Sequence, residues 1–155
     1  MLATTISMLL FFNINTLNMI EIRNLYEIAA DSKTANAKLT TLLASTDSND
    51  ALLNGYRGAA MMMEANHVFN PITKLSRFKK GKQVIENAIK SDGMNVELRF
   101  IRLTIQTNVP SFLGYSSAIE ADKKLLLQQL DQIKDKDLRN RITNYLRKIN
   151  VWKNK

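Results

Sequence analysis

The sequence predicts an all-α fold, and three observations carry that prediction. From Met19 onward apolar residues recur at helical spacing, and no stretch alternates as a strand would. Only two prolines and five glycines interrupt the pattern. The length of 155 residues suits one domain with a core of its own. We therefore expect about seven helices in antiparallel pairs over residues 19–150, arranged as a helical array or as a compact bundle.

Residues 1–18 differ in kind from the rest of the chain. They carry no charged side chain, and Ile6 to Phe12 (ISMLLFF) is almost wholly apolar. This run is too short to span a bilayer, which takes about 20 residues, but it suits the apolar region of a secretory signal. No Lys or Arg precedes it, and no small-residue cleavage site follows it. Two interpretations stay open, a signal peptide and an apolar N-terminal helix packed on the domain. Export, for example to the periplasm, is slightly favoured over a cytoplasmic location.

The first three predicted helices are separated by polar turns. Asp31 and Ser32 offer a cap to the second helix, and the polar residues 45–50 offer one to the third. Gly55 and Gly58 lie inside the third helix, where each glycine costs about 1 kcal/mol relative to alanine, so we expect a neighbouring helix to pack close there. The apolar stripes are Ile22, Leu25, Tyr26 and Ala29, then Ala35, Leu39, Leu42 and Leu43, then Leu52, Tyr56, Ala59, Ala60 and Met63.

Four further helices are predicted after residue 70. Asn70 and Pro71 have the pattern of an N-cap followed by proline at the first helical position, which predicts the start of the fourth helix. Ser117 and Glu120 have the spacing of a capping box and predict the start of the sixth. The apolar stripes are Leu75, Phe78, Ile85 and Ile89, then Leu98, Ile101 and Ile105, then Ile119, Leu126, Leu130 and Ile133, then Leu138, Ile142, Tyr145, Leu146 and Ile149.

Three segments complete this prediction. On the fifth helix, Arg99, Arg102 and Gln106 form a polar face opposite the apolar stripe. The loop 107–115 that follows contains Phe112 and Tyr115, both of which we expect in the core. Residues 151–155 are expected to form a frayed basic tail.

The segment Gly81 to Asn95 resembles the second helix and exit turn of a tetratricopeptide repeat. Ile85, Ala88-Ile89 and the turn Asp92-Gly93-Met94-Asn95 fall at that family's spacing, with Gly93 where the family usually has proline. The chain is also similar to a bacterial group of small, often exported helical proteins, through NPITKLSRF near its middle and TNVPSFLGY after the fifth helix. The resemblance implies a TPR-like helical fold and no particular activity. The long connection 65–74 and the arginines of the fifth helix depart from a regular repeat, so it implies a closed bundle of pairs more than an open array.

No arrangement of residues points to catalysis or to a cofactor. The chain has no cysteine, which excludes disulfides and thiolate chemistry. His67 is the only histidine, and Glu64 three residues before it would share its face only if the helix continued. The carboxylates Glu120 and Asp122 are expected on a charged helix surface. We therefore predict a protein that is not an enzyme and needs no cofactor or metal.

The basic residues are concentrated in the second half. Residues 1–70 carry four basic and six acidic side chains, a net charge of −2, whereas residues 71–155 carry 18 and eight, a net charge of +10. An excess of this kind favours acidic partners. The candidate partner-binding basic residues are Lys74, Arg77, Lys79, Lys80, Lys82, Arg99 and Arg102.

Two hypotheses about function follow from these patterns. The first is a helical protein-protein interaction or scaffold module of TPR-like type, which holds an unknown protein or peptide against paired helices. The alternative is binding of nucleic acid or an anionic surface through the basic second half. The run Met61 to Met63 fits the first hypothesis as an adaptable apolar surface, but core packing by Met63, with its neighbours at the flank, is the favoured interpretation.

Overall fold

The computed structural model describes residues 19–152 and confirms the all-α fold. Over that range the chain forms seven α-helices and no strand. They are α1 (19–29), α2 (Lys33–Ala44), α3 (Ala51–Glu64), α4 (Pro71–Ser91), α5 (Val96–Asn108), α6 (Ile119–Gln129) and α7 (Lys136–Trp152), with short 3-10 turns at Ala65–His67, Ser111–Leu113 and Leu130–Gln132. The predictions made for residues 1–18 lie outside the described residues. Of the tail predicted for residues 151–155, residues 151 and 152 are the last of α7, and residues 153–155 lie outside the described residues.

Most helix starts are set by local side chains, as the sequence predicts. Ser32 caps α2 by accepting a hydrogen bond from the backbone N–H of Ala35, 3.2 Å away. Asn70 caps α4 by accepting from the N–H groups of Ile72 and Thr73. Such caps satisfy backbone donors that the first helical turn leaves unpaired. Asn70 therefore determines where α4 begins, and the first turns of this helix contribute to the candidate site.

The start of α6 differs from the predicted capping box. The N-cap is Ala118, which makes no side-chain cap hydrogen bond, and the helix begins at Ile119. A backbone turn opens it, because the N–H of Ile119 donates to the carbonyl oxygen of Ser116 at 3.3 Å. The prediction that Ser117 and Glu120 form a capping box is therefore wrong.

Helices α3 and α4 form a tight antiparallel pair around two glycines. A Cβ added to Gly58 would lie 2.7 Å from the carbonyl oxygen of Gly81 and 2.7 Å from the side chain of Ile85, and one added to Gly81 would collide with Met62. Gly58 of α3 faces Gly81 and Ile85, whereas Met62, one turn later on α3, faces Gly81. Later residues of α3 therefore contact earlier residues of α4, and the pair is antiparallel. Because no side chain separates the helices here, their backbones approach closely, as the glycines of α3 predict.

Helix α5 is the central helix of the fold and faces two hydrophobic clusters. Leu98 and Ile101 pack into a larger cluster formed mainly by α1 to α4. Phe100 and Leu103 pack into a smaller one with residues of α6 and α7. A helix with apolar neighbours on two sides keeps little surface for a solvated polar face. The prediction of an exposed polar face on α5 is therefore wrong, and Gln106 is buried.

The first and last helices of the described part contact each other directly. Arg23 of α1 donates to Asp137 of α7 at 3.1 Å, and Arg141 of α7 pairs with Glu27 of α1 at 2.6 Å. In an open solenoid each repeat touches only its neighbours along the chain. The contact between α1 and α7 closes the fold into a compact bundle, one of the two arrangements that the sequence predicts.

Candidate functional site

The predicted basic residues do not form one surface. Lys74, Lys79 and Lys80 are exposed on α4 and make no ion pair among the described residues. Arg77 pairs with Glu64 at 3.2 Å on the surface. Lys82 lies 4.8 Å above the centre of the Tyr115 ring.

Arg99 and Arg102 point inward instead, toward Asp122 of α6. Arg102 forms a bidentate pair with this carboxylate, with Nε–Oδ2 and Nη2–Oδ1 distances of 2.7 Å. Arg99 donates to the same carboxylate at 2.9 Å, and Asp122 is 0% exposed. Arg102 is therefore absent from the exposed basic surface, and the expectation that Asp122 lies on a charged surface is wrong. The physical reason is that α6 packs against this side of α5.

A second buried network joins α1, α3 and α5. Arg23 forms a bidentate pair with Glu97, with both N–O distances at 2.7 Å, and Tyr56 donates its hydroxyl to Glu97 at 2.5 Å. Burial, with the adjacent Glu97 carboxylate, raises the pKa of Tyr56 well above its ordinary value. This network fixes α1 against the centre of the bundle.

Fixed in this way, α1 forms one wall of a large groove. The groove has a volume of about 1030 Å³ and is lined by residues of α1 and α7. The first two turns of α4 and the loop 109–113 also line it. Its floor comes from α5 and the end of α3. The principal floor residues are Met62, Met63, Phe78, Phe100, Thr104 and Ile105. Most of the floor is therefore apolar.

The two distinctive segments of the sequence both line the groove and form its lip. NPITKLSRF contributes Pro71 and Leu75 to the lip, and TNVPSFLGY contributes Phe112 and Leu113. Phe112 is 84% exposed and Leu75 is 42% exposed. The prediction that Phe112 packs into the core is thus wrong, while Tyr115 from the same loop is buried as predicted. Large apolar side chains are available to a molecule that enters the groove.

A small set of polar groups lies in the groove and directly beside it. Tyr26 and Thr104 share a short hydrogen bond, and the hydroxyl groups of Tyr145 and Thr107 lie 2.5 Å apart. Asn108 donates to the Tyr145 hydroxyl at 2.9 Å. These groups satisfy one another, so they do not require a ligand. An apolar interior with a few ordered polar groups is the usual lining of a binding site.

His67 and Glu64 do not form a site together. α3 ends at Glu64, and His67 follows in a 3-10 turn. The Nε2 atom of His67 lies 2.9 Å from the carbonyl oxygen of Ala29, at the end of α1. Glu64 pairs with Arg77 instead. Across the described residues, no three His, Cys, Asp or Glu side chains gather closely enough to hold a metal ion.

The sequence did not predict the groove, although parts of it carried signals. The methionine run is one such signal for an apolar binding surface, and Met62 and Met63 both line the groove, with Met62 the more buried. The contribution of α7 had no signal. It depends on the contact between α1 and α7, which joins residues more than 100 positions apart.

Comparison with known proteins adds no further constraint. Neither a family model, nor a curated protein, nor a solved structure matches the chain. In the part of the chain that is described, no helix combines the length and the apolar character needed to cross a membrane. The groove and the exposed end of α4 both present exposed apolar side chains to a binding partner.

Proposed function

We propose that this protein is a helical interaction module that holds a helical segment of a partner protein in the groove between α1, α7 and α4. The observation that carries the proposal is the groove itself, with Phe112 and Leu75 exposed along its lip. An amphipathic helix that lays its apolar face into a groove between helices is a common form of recognition. The proposed module is non-enzymatic.

The dimensions of the groove suit a short helix. On α7 the lining residues run from Leu138 to Lys148, which corresponds to about 15 Å at a helical rise of 1.5 Å per residue. About three turns of a partner helix have this length. The volume of about 1030 Å³ is at the upper limit for small-molecule sites, which favours a peptide segment over a small ligand.

The charges along the groove indicate the chemistry of the partner. Arg23 and Arg141 are already paired within the bundle, with the carboxylates of Glu27, Glu97, Asp135 and Asp137. Lys74 and Lys148 line the groove and make no ion pair among the described residues. Among the described lining residues, Asp31 is the only carboxylate outside the ion pairs, so the lining has two unpaired cations and one unpaired carboxylate. We expect a partner helix with an apolar stripe and acidic residues beside it.

A peptide selection tests this proposal. The chain has no cysteine, so Asn144→Cys, at an exposed groove position on α7, places a single environment-sensitive fluorophore at the site. Selection from a displayed library of short random peptides is expected to enrich apolar residues at i, i+3 or i+4, and i+7, flanked by Asp or Glu. Enriched peptides should change the fluorescence of the groove label in a saturable way. A selection without enrichment, or peptides that bind without changing this signal, would contradict the proposal.

A further inference from the structure

The first turns of α4 extend beyond the helix that pairs with it. α4 has 21 residues, whereas its partner α3 has 14. Every residue from Phe69 to Arg77 is exposed, and the first buried side chain of α4 is Phe78. The N-terminal end of α4 therefore stands out from the bundle as a projecting helix end.

Two large apolar side chains of this end have no packing role. Phe69 is fully exposed, and Ile72 is 81% exposed. A residue just before the N-cap often packs on an apolar residue at the fourth helical position. In α4 that position is Lys74, so Phe69 has no such neighbour. Single exposed apolar residues are ordinary, but two side chains this exposed within four residues call for a binding explanation.

The segment that contains this helix end and the turn after it is strongly basic. Residues 65–85 contain five Lys or Arg side chains and no Asp or Glu. Lys79 lies seven residues after Ile72 and so on the same helical face. Lys79 and Lys80 are exposed and make no ion pair within residues 19–152. At the surface of an anionic membrane, apolar acyl chains lie beneath negatively charged headgroups. Exposed apolar side chains beside unpaired cations complement such a surface.

We infer that the projecting end of α4 docks on an anionic lipid bilayer. Phe69 and Ile72 enter the boundary between headgroups and acyl chains, and Lys79 and Lys80 contact the lipid phosphates. Nucleic acid would use the lysines equally well, but it offers no apolar medium to Ile72. The surface lies beside the groove and does not depend on what the groove holds. The docking is peripheral, because the apolar contribution comes from two side chains at a helix end.

Vesicle co-sedimentation of the full chain tests the inference. Phosphatidylcholine vesicles with and without phosphatidylglycerol are compared for the wild type, Phe69→Ser/Ile72→Ser and Lys79→Gln/Lys80→Gln. The control variant is Leu127→Ser/Lys124→Gln, which changes an apolar residue that is 54% exposed and an exposed lysine on α6. Each substitution is at the surface, and circular dichroism establishes that each variant is folded.

We expect the wild type and the control to sediment with anionic vesicles, and each α4 variant to bind roughly tenfold more weakly. A fluorophore at Phe69→Cys should shift to the blue on vesicle binding. Equal binding by all four proteins would overturn the inference. So would binding that depends on the lysines but not on Phe69 and Ile72, together with equal binding of duplex DNA, because that result describes a general polyanion surface.

Discussion

Arg102 and Asp122 form a deeply buried ion pair, with two N–O distances of 2.7 Å between α5 and α6. Burial of an ion costs several kcal/mol, and the pair offsets this cost only while both partners are present. Arg99 donates to the same carboxylate, and Glu86 accepts from Arg102 at 2.9 Å. The four charged side chains satisfy one another. The pair therefore holds α6 in place and leaves no unpaired charge for a ligand.

Removal of Arg102 alone should be strongly destabilising. Arg102→Met leaves Asp122 buried with Arg99 as its remaining partner, and we expect the free energy of unfolding to fall by about 3 kcal/mol. Urea denaturation measures this change. The control is Arg77→Met, which removes an exposed pair with Glu64 and should cost less than about 1 kcal/mol. Equal effects of the two substitutions would show that burial does not govern the Arg102 pair.

Gly58→Ala should destabilise the protein although alanine is the better helix former. The substitution gains about 1 kcal/mol of helix propensity. The added Cβ would lie 2.7 Å from the carbonyl oxygen of Gly81, which belongs to the backbone and cannot rotate away. Overpacking of this kind typically costs 1–3 kcal/mol, so we expect a net loss of about 1 kcal/mol.

Thermal denaturation of Gly58→Ala and Gly93→Ala tests this prediction. At Gly93 the added Cβ meets nothing closer than the carbonyl oxygen of Ile89 at 3.3 Å. The melting temperature should therefore fall more for Gly58→Ala than for Gly93→Ala. The reverse order would mean that the two helices separate easily and that their close approach is not required.

The helices could be predicted from sequence because their causes are local. The caps at Ser32 and Asn70 act within three residues, and the helical spacing of apolar residues is visible in any short window. The close approach of a neighbouring helix at Gly58 could also be predicted, because glycine inside a helix is costly and so indicates a packing reason. These features needed no knowledge of the tertiary structure.

The burial of polar side chains on α5 could not be predicted, because it depends on helices that are distant in sequence. Arg102 and Gln106 have the spacing of a solvated face, but both are buried, and the contacts of Arg102 are with Asp122 of α6 and Glu86 of α4. The prediction that Phe112 lies in the core was wrong in the opposite sense. A large aromatic residue in a loop usually packs inward, but Phe112 lines an open groove. The groove has the same origin, since residues far apart in sequence build its walls.

Acid should weaken the contact between α1 and α7. Burial opposes ionisation of Asp135, but hydrogen bonds from the Arg23 side chain and the Leu138 backbone outweigh it, and its pKa is lowered. The hydrogen bond from Arg141 lowers the pKa of Asp137. The folded state thus binds fewer protons than the unfolded chain. The stability from both groups is present above their unfolded pKa and is lost as pH falls through the folded values.

The measurement is the free energy of unfolding across the range from about pH 5 to pH 3. Asp135→Asn keeps an oxygen that can accept from the N–H of Leu138 but removes the charge that Arg23 contacts. We expect a shallower fall of stability with acid than in the wild type. Asp131→Asn, at an exposed aspartate outside this network, is the control. An unchanged slope in Asp135→Asn would contradict the assignment.

The most direct test of the proposed function is the affinity of a library-selected peptide for wild type and for Leu75→Ser/Phe112→Ser, measured by isothermal titration calorimetry. Both side chains line the groove and are exposed, so the variant should fold normally. Burial of each against a peptide stabilises the complex by about 1.5–3 kcal/mol, and its loss should weaken binding at least tenfold. Leu127→Ser, outside the groove, should bind as the wild type does. Equal affinity for all three proteins would contradict the assignment of the groove as the partner site.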